Sequence, residues 1–153
     1  AWGRRRCLVP ADGFYEWNHL NHGTGRKQPF HFHLPDHSLF CFAGLWERWQ
    51  RPPARQAELF ADTFKAPLPV LETFTILTTS PNADVEPFHD RMPVILKSKD
   101  IDRWIQHGNE SIKDTLNLLK PYSEELQYHP VSTFVNSPKN NSEQCIRQAG
   151  SLF

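Results

Sequence analysis

The sequence predicts an α+β domain of mainly antiparallel strands with two helices late in the chain. Three observations lead there. Thirteen prolines against seven glycines pin many strand ends and loops, which suits a β-rich chain better than a helical bundle. Short apolar runs of strand length recur before Ser98, and Phe30 to Leu34 alternates strictly. Outside the irregular stretch 51–71, helical spacing enters only after Ser98. With 153 residues, 39% of them hydrophobic, the chain is one domain able to bury a sizeable core.

The elements follow in order. Arg4 to Val9 passes from charge into an apolar strand. Pro10-Ala11-Asp12-Gly13 is turn chemistry, with Pro fixing φ and Asp-Gly supplying a reversal and a positive φ. Phe14 to Trp17 resumes as a strand, and Asn18 to Gly25 is a polar loop. In the next strand Phe30, Phe32 and Leu34 share one face, and His31 and His33 the other. Pro35 to Ser38 turns the chain and Leu39 to Ala43 returns, which predicts an antiparallel hairpin closed by Gly44 to Trp49.

Arg51 to Leu71 is irregular, with Pro52, Pro53, Pro67 and Pro69 around a short amphipathic helix carrying Leu59, Phe60 and Phe64. A stretch of this length is a functional lid or a partly disordered insertion. Thr73 to Thr79 is a β-branched strand, and Ser80 to Ala83 a turn. Phe88 to Leu96 runs from a polar cluster into an apolar strand. Ser98 caps a helix with the stripe Ile101, Trp104 and Ile105, ended by Gly108. A second helix carries Ile112, Leu116 and Leu119 and stops at Pro121. Gln127 to Val135 is the last strand, and Asn136 to Ser142 a loop.

Composition narrows the function. Seventeen basic residues balance seventeen acidic ones, so any basic surface is local. Cys7, Cys41 and Cys145 form no CxxC and imply no disulfide framework, which points to a reducing, cytoplasmic setting. No apolar run reaches the roughly 18 residues of a membrane span, and no leader peptide is expected.

Five features carry chemistry. Glu16 stands among Phe14, Tyr15 and Trp17; facing inward, it would have its pKa raised by desolvation and be fitted for proton transfer. Facing solvent, it would be an ordinary strand acid. His89 sits with Asp90 and Arg91 at the mouth of an apolar strand, either as an acid/base group or as part of a polar turn. His31, His33 and His37 invite a metal reading, but no further ligand stands at zinc spacing and His37 belongs to a turn. A solvent-facing strand edge is expected there, with no metal and no cofactor. Cys7 lies beside Arg5 and Arg6, yet an apolar strand is where inert cysteines are buried. Arg4, Arg5 and Arg6 together with Trp2, Trp17, Trp46 and Trp49 are the ingredients of single-stranded nucleic-acid binding.

The segments RRCLVPADGFYEW (5–17), KQPFHFHL (27–34), FAGLWERW (42–49), FTILTTSPNADVEPFHDRMPVIL (74–96) and HPVSTFVNSPKNN (129–141), taken in order, resemble the SRAP (SOS response-associated peptidase) family. The resemblance implies a curved, barrel-like sheet with flanking helices and a DNA groove. It implies a monomer that binds single-stranded DNA and traps abasic sites, nucleoid-associated in a bacterium. A terminal Cys, exposed by self-processing removal of the initiator Met, closes a thiazolidine on the sugar aldehyde. Carried over by motif, Glu16 and His89 are the catalytic residues, and Thr78 lies on the DNA side. Arg5, Arg6 and Trp17 are the expected DNA contacts. Position 1 is Ala1, and Cys7 matches an internal Cys of the motif. The expectation is therefore that residues 1–153 are the larger, C-terminal part of one such domain, with a variable insertion at 51–71, lacking the nucleophile. A non-catalytic single-strand-binding module and a metal-dependent hydrolase are the competing readings.

Overall fold

The computed structural model describes residues 3–18, 27–50, 70–106 and 111–150. Strand β1 (Arg6–Ala11) pairs antiparallel with β4 (Phe40–Gln50), Arg6 opposite Leu45 and Ala11 opposite Phe40. The long β4 also pairs with β5 (Val70–Ile76) and, at Cys41 and Phe42, with β8 (Ile95–Leu96). A second sheet has the order β2 (Phe14–Asn18), β3 (Gln28–His33), β9 (Gln127–Pro130). A two-stranded ladder joins β6 (Thr78–Thr79) to β7 (Met92–Pro93).

The α+β class holds, but the barrel does not. Among the described residues the sheets are separate and open, with β1 and β5 ending one path and β2 and β9 ending another. Closure needs each strand to hand its edge to the next around a ring. Here the chain changes sheet instead, once between β1 and β2 and again between β3 and β4. The expected hairpin of Phe30–Leu34 with Leu39–Ala43 is therefore absent: β3 pairs with β2 and β9, while β4 pairs with β1. At the second switch His37 takes a positive φ of 55°. At the first, Gly13 does not use the positive φ expected of Asp-Gly. It supplies room, since a Cβ there would lie 2.1 Å from His31 Nε2 and 2.6 Å from the Phe32 carbonyl oxygen.

The core forms between the two larger sheets. Phe32 comes from one, Phe40 and Phe42 from the other, with Phe88, Met92 and Tyr122 filling between them. Phe14 stacks on Phe32 at 5.1 Å and meets the edge of Phe42 at 6.1 Å. Period-two alternation turns Ala43 to the opposite face of β4, where it joins Val94, Leu96 and Trp104 in a second cluster.

Trp104 belongs to α1 (Ile101–Ile105), which follows a 3-10 turn at Ser98–Asp100. Lys97, not Ser98, holds the N-cap of that turn, and no side chain caps it. Trp104 is fully buried, donates its indole N–H to the Cys7 carbonyl at 2.8 Å, and lies under the Arg6 guanidinium at 5.6 Å. Trp104→Ala is expected to cost about 3–5 kcal/mol, read as a lowered urea midpoint. An unchanged midpoint would remove this cluster from the stability account.

In α2 (Ile112–Leu116) Ser111 is the N-cap, its hydroxyl accepting from the Asp114 N–H. Of the expected stripe, Ile112 and Leu116 are turned outward, at 65% and 50% exposure, while Leu119 packs against the second cluster. Thr115 is buried in their place, because its hydroxyl donates to the Ser111 carbonyl at 3.1 Å and so goes inward satisfied. The last strand stops at Pro130, and Thr133–Asn136 is a 3-10 turn. The loop at 19–25, the helix and lid expected within 51–69, and the stop at Gly108 lie outside the described residues. No helix among the described residues is long and apolar enough to cross a membrane.

Candidate active site

Strand register decides which way Glu16 points. Phe14 and Glu16 pair with Phe32 and Phe30, so all four stand on the core side of the second sheet. Phe30 meets the edge of Phe88 at 4.9 Å, and the next residue is His89. One aromatic contact thus brings the acid of β2 and the imidazole beyond β5 and β6 to the same place. Burial pushes the Glu16 carboxyl above its usual range, and the nearby His89 charge partly offsets that rise. The inward orientation of Glu16 holds.

His89 is half-exposed on the solvent side of Phe88. Its Nδ1 accepts from the Arg91 N–H at 3.0 Å and lies 3.0 Å from an Asp90 carboxylate oxygen. The neutral ring uses the first contact and the protonated ring the second. The imidazole thus has a partner in either state, a useful property in a proton-transfer group.

The other expected residues are more dispersed. Thr78 is exposed on β6, opposite Pro93. Arg5 is ion-paired with Glu47 at the surface. Arg6 turns inward, 7% exposed, and donates to the Trp104 and Gln106 carbonyls, where it fixes the end of α1. The half-buried Trp17 donates its indole N–H to Asn136 Oδ1 at 2.8 Å. Cys7 faces Gly44 across the ladder, and burial raises its thiol pKa, which disfavours the thiolate.

One cluster was only partly visible in the sequence. The His31 and His33 side of β3 is no solvent-facing edge: the two are 6% and 4% exposed. His129 joins them from β9, directly opposite His31. Only the β3–β9 register brings it there, and nothing in local spacing announces it. Burial, then the neighbouring imidazoles, push the His31 pKa down to about 4, so its ring is neutral.

Above Leu45 the β4–β5 ribbon leaves the core and both of its faces are exposed. Trp46 pairs with Phe74 across it, and the next pair on that face is Arg48 with Glu72.

Comparison with known proteins places this arrangement. An abasic site processing protein, YoqW, of Bacillus subtilis (strain 168) is 40% identical over 143 residues, covering 93% of this chain and 57% of its own length. The abasic site processing protein HMCES of Xenopus tropicalis is 31% identical, with 93% and 43% covered. The chain thus spans about half the length of these relatives. An X-ray structure of a protein from Bacteroides thetaiotaomicron superposes with a TM-score of 0.76 at 26% identity, covering 97% of this chain and 58% of that one. The sequence also matches the SOS response associated peptidase (SRAP) profile over residues 1–138, and the chain belongs to that family.

Proposed function

We propose that the protein containing this chain processes abasic sites in single-stranded DNA, with Glu16 and His89 moving the protons of a covalent capture. The observation that carries this reading is the inward carboxyl of raised pKa within charge range of a half-exposed imidazole. The names of the relatives support the substrate class. An abasic sugar is mostly a closed hemiacetal. Opening it takes the proton from the anomeric hydroxyl, breaks the bond from that carbon to the ring oxygen, and protonates the departing ring oxygen, which yields an aldehyde. A terminal cysteine would add its amine and then its thiol to that carbon, with loss of one water, to give a thiazolidine. The raised Glu16 carboxyl is suited to donate a proton and the His89 imidazole to accept one. The same pair would serve removal of an initiator Met by hydrolysis.

The test is a single-stranded oligonucleotide carrying one abasic site, incubated with this chain and with the product of the whole reading frame containing it. A heat-stable shifted band on a denaturing gel with the longer protein alone supports the reading. A band with neither overturns it.

The Trp46–Phe74 pair favours a second reading, a stacking surface for bases beside Arg48, without chemistry. Binding of an intact, undamaged strand is then expected to weaken as salt rises from 50 to about 200 mM, because neutralised phosphates release counterions. Salt-insensitive binding, or Trp46→Ala binding as tightly as the parent, would count against it.

A further inference from the structure

The side of the second sheet away from the core carries imidazoles that the proposed chemistry leaves unused. His31 and His33 alternate along β3, and His129 enters from β9. Their ring centroids are 5.4 to 5.6 Å apart. One ring nitrogen of each lies within 4.8 Å of the other two. We infer that His31, His33 and His129 form a binding site for a divalent first-row transition metal, zinc foremost.

Three observations support the site. His31 Nδ1 is buried with no hydrogen-bond partner among the described residues, in a residue only 6% exposed. A packing role alone leaves that nitrogen unpaired, which buried polar atoms rarely are. A metal would be its partner. The other two rings are already oriented. His33 Nδ1 is 2.8 Å from the Leu34 carbonyl, and His129 Nε2 is 2.8 Å from the Ile146 carbonyl. A carbonyl only accepts, so those nitrogens carry protons, and it is the opposite nitrogen of each ring that is left to face a metal. Imidazole N–H bonded to a backbone carbonyl is the usual outer support of a metal-ligating histidine.

The third observation is access. His33 and His129 line an open cleft of about 700 Å³ whose walls include Asp84 and Glu125, acids that favour a cation. Tetrahedral zinc holds its nitrogens at about 2.0–2.1 Å, hence roughly 3.3 Å from one another. With His31 held in place, rotations of the His33 and His129 rings would bring nitrogens already within 4.8 Å to that spacing. The cleft would leave the fourth position to water or a substrate oxygen, the coordination of an open zinc site. The metal would also staple β3 to β9 and, through Ile146, to the C-terminal segment.

The experiment treats the protein with chelator, dialyses it, and titrates it with zinc chloride against a chromophoric indicator. One zinc per chain is expected, with affinity reduced at least tenfold in His33→Gln and in His129→Gln while circular dichroism is retained. Cobalt(II) added to the unsubstituted protein should give the intense visible bands of a four-coordinate nitrogen site, a readout that survives if a variant fails to fold. Absence of stoichiometric zinc, cobalt bands of the hexa-aquo ion, or undiminished affinity in both folded variants would overturn the site.

Discussion

Glu16→Gln is expected to slow abasic-site capture by about 10²- to 10⁴-fold, the range of a positioned acid/base group, while raising stability at neutral pH. The two effects share one cause. Glu16 is held among Phe14, Phe30 and Phe32 by strand register, and burial raises its pKa from 4.5. A carboxyl raised in the folded state stabilises the fold while protonated. That contribution is complete below the unfolded value near 4.5 and is lost as pH climbs through the folded one. Once ionised, the group is therefore a burden that Gln does not carry. The melting temperature of Glu16→Gln should exceed that of the parent at about pH 8, and the gap should shrink toward pH 4. His89 opposes the rise, so His89→Gln should move the Glu16 limb of the pH–rate profile further upward. Capture is measured on the product of the whole reading frame, and melting on both proteins. Parental capture rates in Glu16→Gln would end its catalytic assignment. A melting-temperature gap equal at both pH values would show that Glu16 is not desolvated.

Local pattern was a good guide to which residues form strands and a poor guide to which strands meet. The alternation in Phe30–Leu34 gave the correct faces, because a strand's period of two is a property of its own backbone. The same pattern could not say that β3 would pair with β2 and β9 instead of β4. Pro35 to Ser38 carries the composition of a hairpin turn, yet here it serves as a passage between sheets. The stripe on α2 failed for a different reason: Thr115 satisfies its own hydroxyl within the helix, so a polar residue took the buried place. Glu16 could be read because its aromatic neighbours are its neighbours in sequence. The histidine cluster was half visible, since His31 and His33 are adjacent on one strand, while His129 required a long-range register. Arg6 shows the converse. Its position in a basic run suggests phosphate, but its guanidinium is committed to two carbonyls at the end of α1.

Gly13→Ala is the substitution that should damage the fold most for its size. Gly13 lies between β1 and β2, where the chain leaves one sheet for the other, and β3 runs against it. The added methyl would sit 2.1 Å from His31 Nε2 and 2.6 Å from the Phe32 carbonyl. Neither obstacle yields cheaply. The His31 ring is flanked by Tyr15 at 5.2 Å, His33 at 5.6 Å and His129 at 5.4 Å. Phe32 is the fully buried middle of a central strand, so its carbonyl moves only if β3 moves. Overpacking against backbone is expected to cost about 3 kcal/mol, or roughly 6–12 °C in melting temperature for a domain of this size. The double variant Gly13→Ala/His31→Ala separates the two obstacles. Removing the ring relieves one contact and leaves the carbonyl, so the double variant should lose less than the sum of the single losses, yet stay below the parent. Strict additivity would mean that the methyl never meets the ring. A Gly13→Ala protein that melts with the parent would mean that β3 stands further from the switch than 2.6 Å allows, and the close seat of His31 over Gly13 would have to be withdrawn.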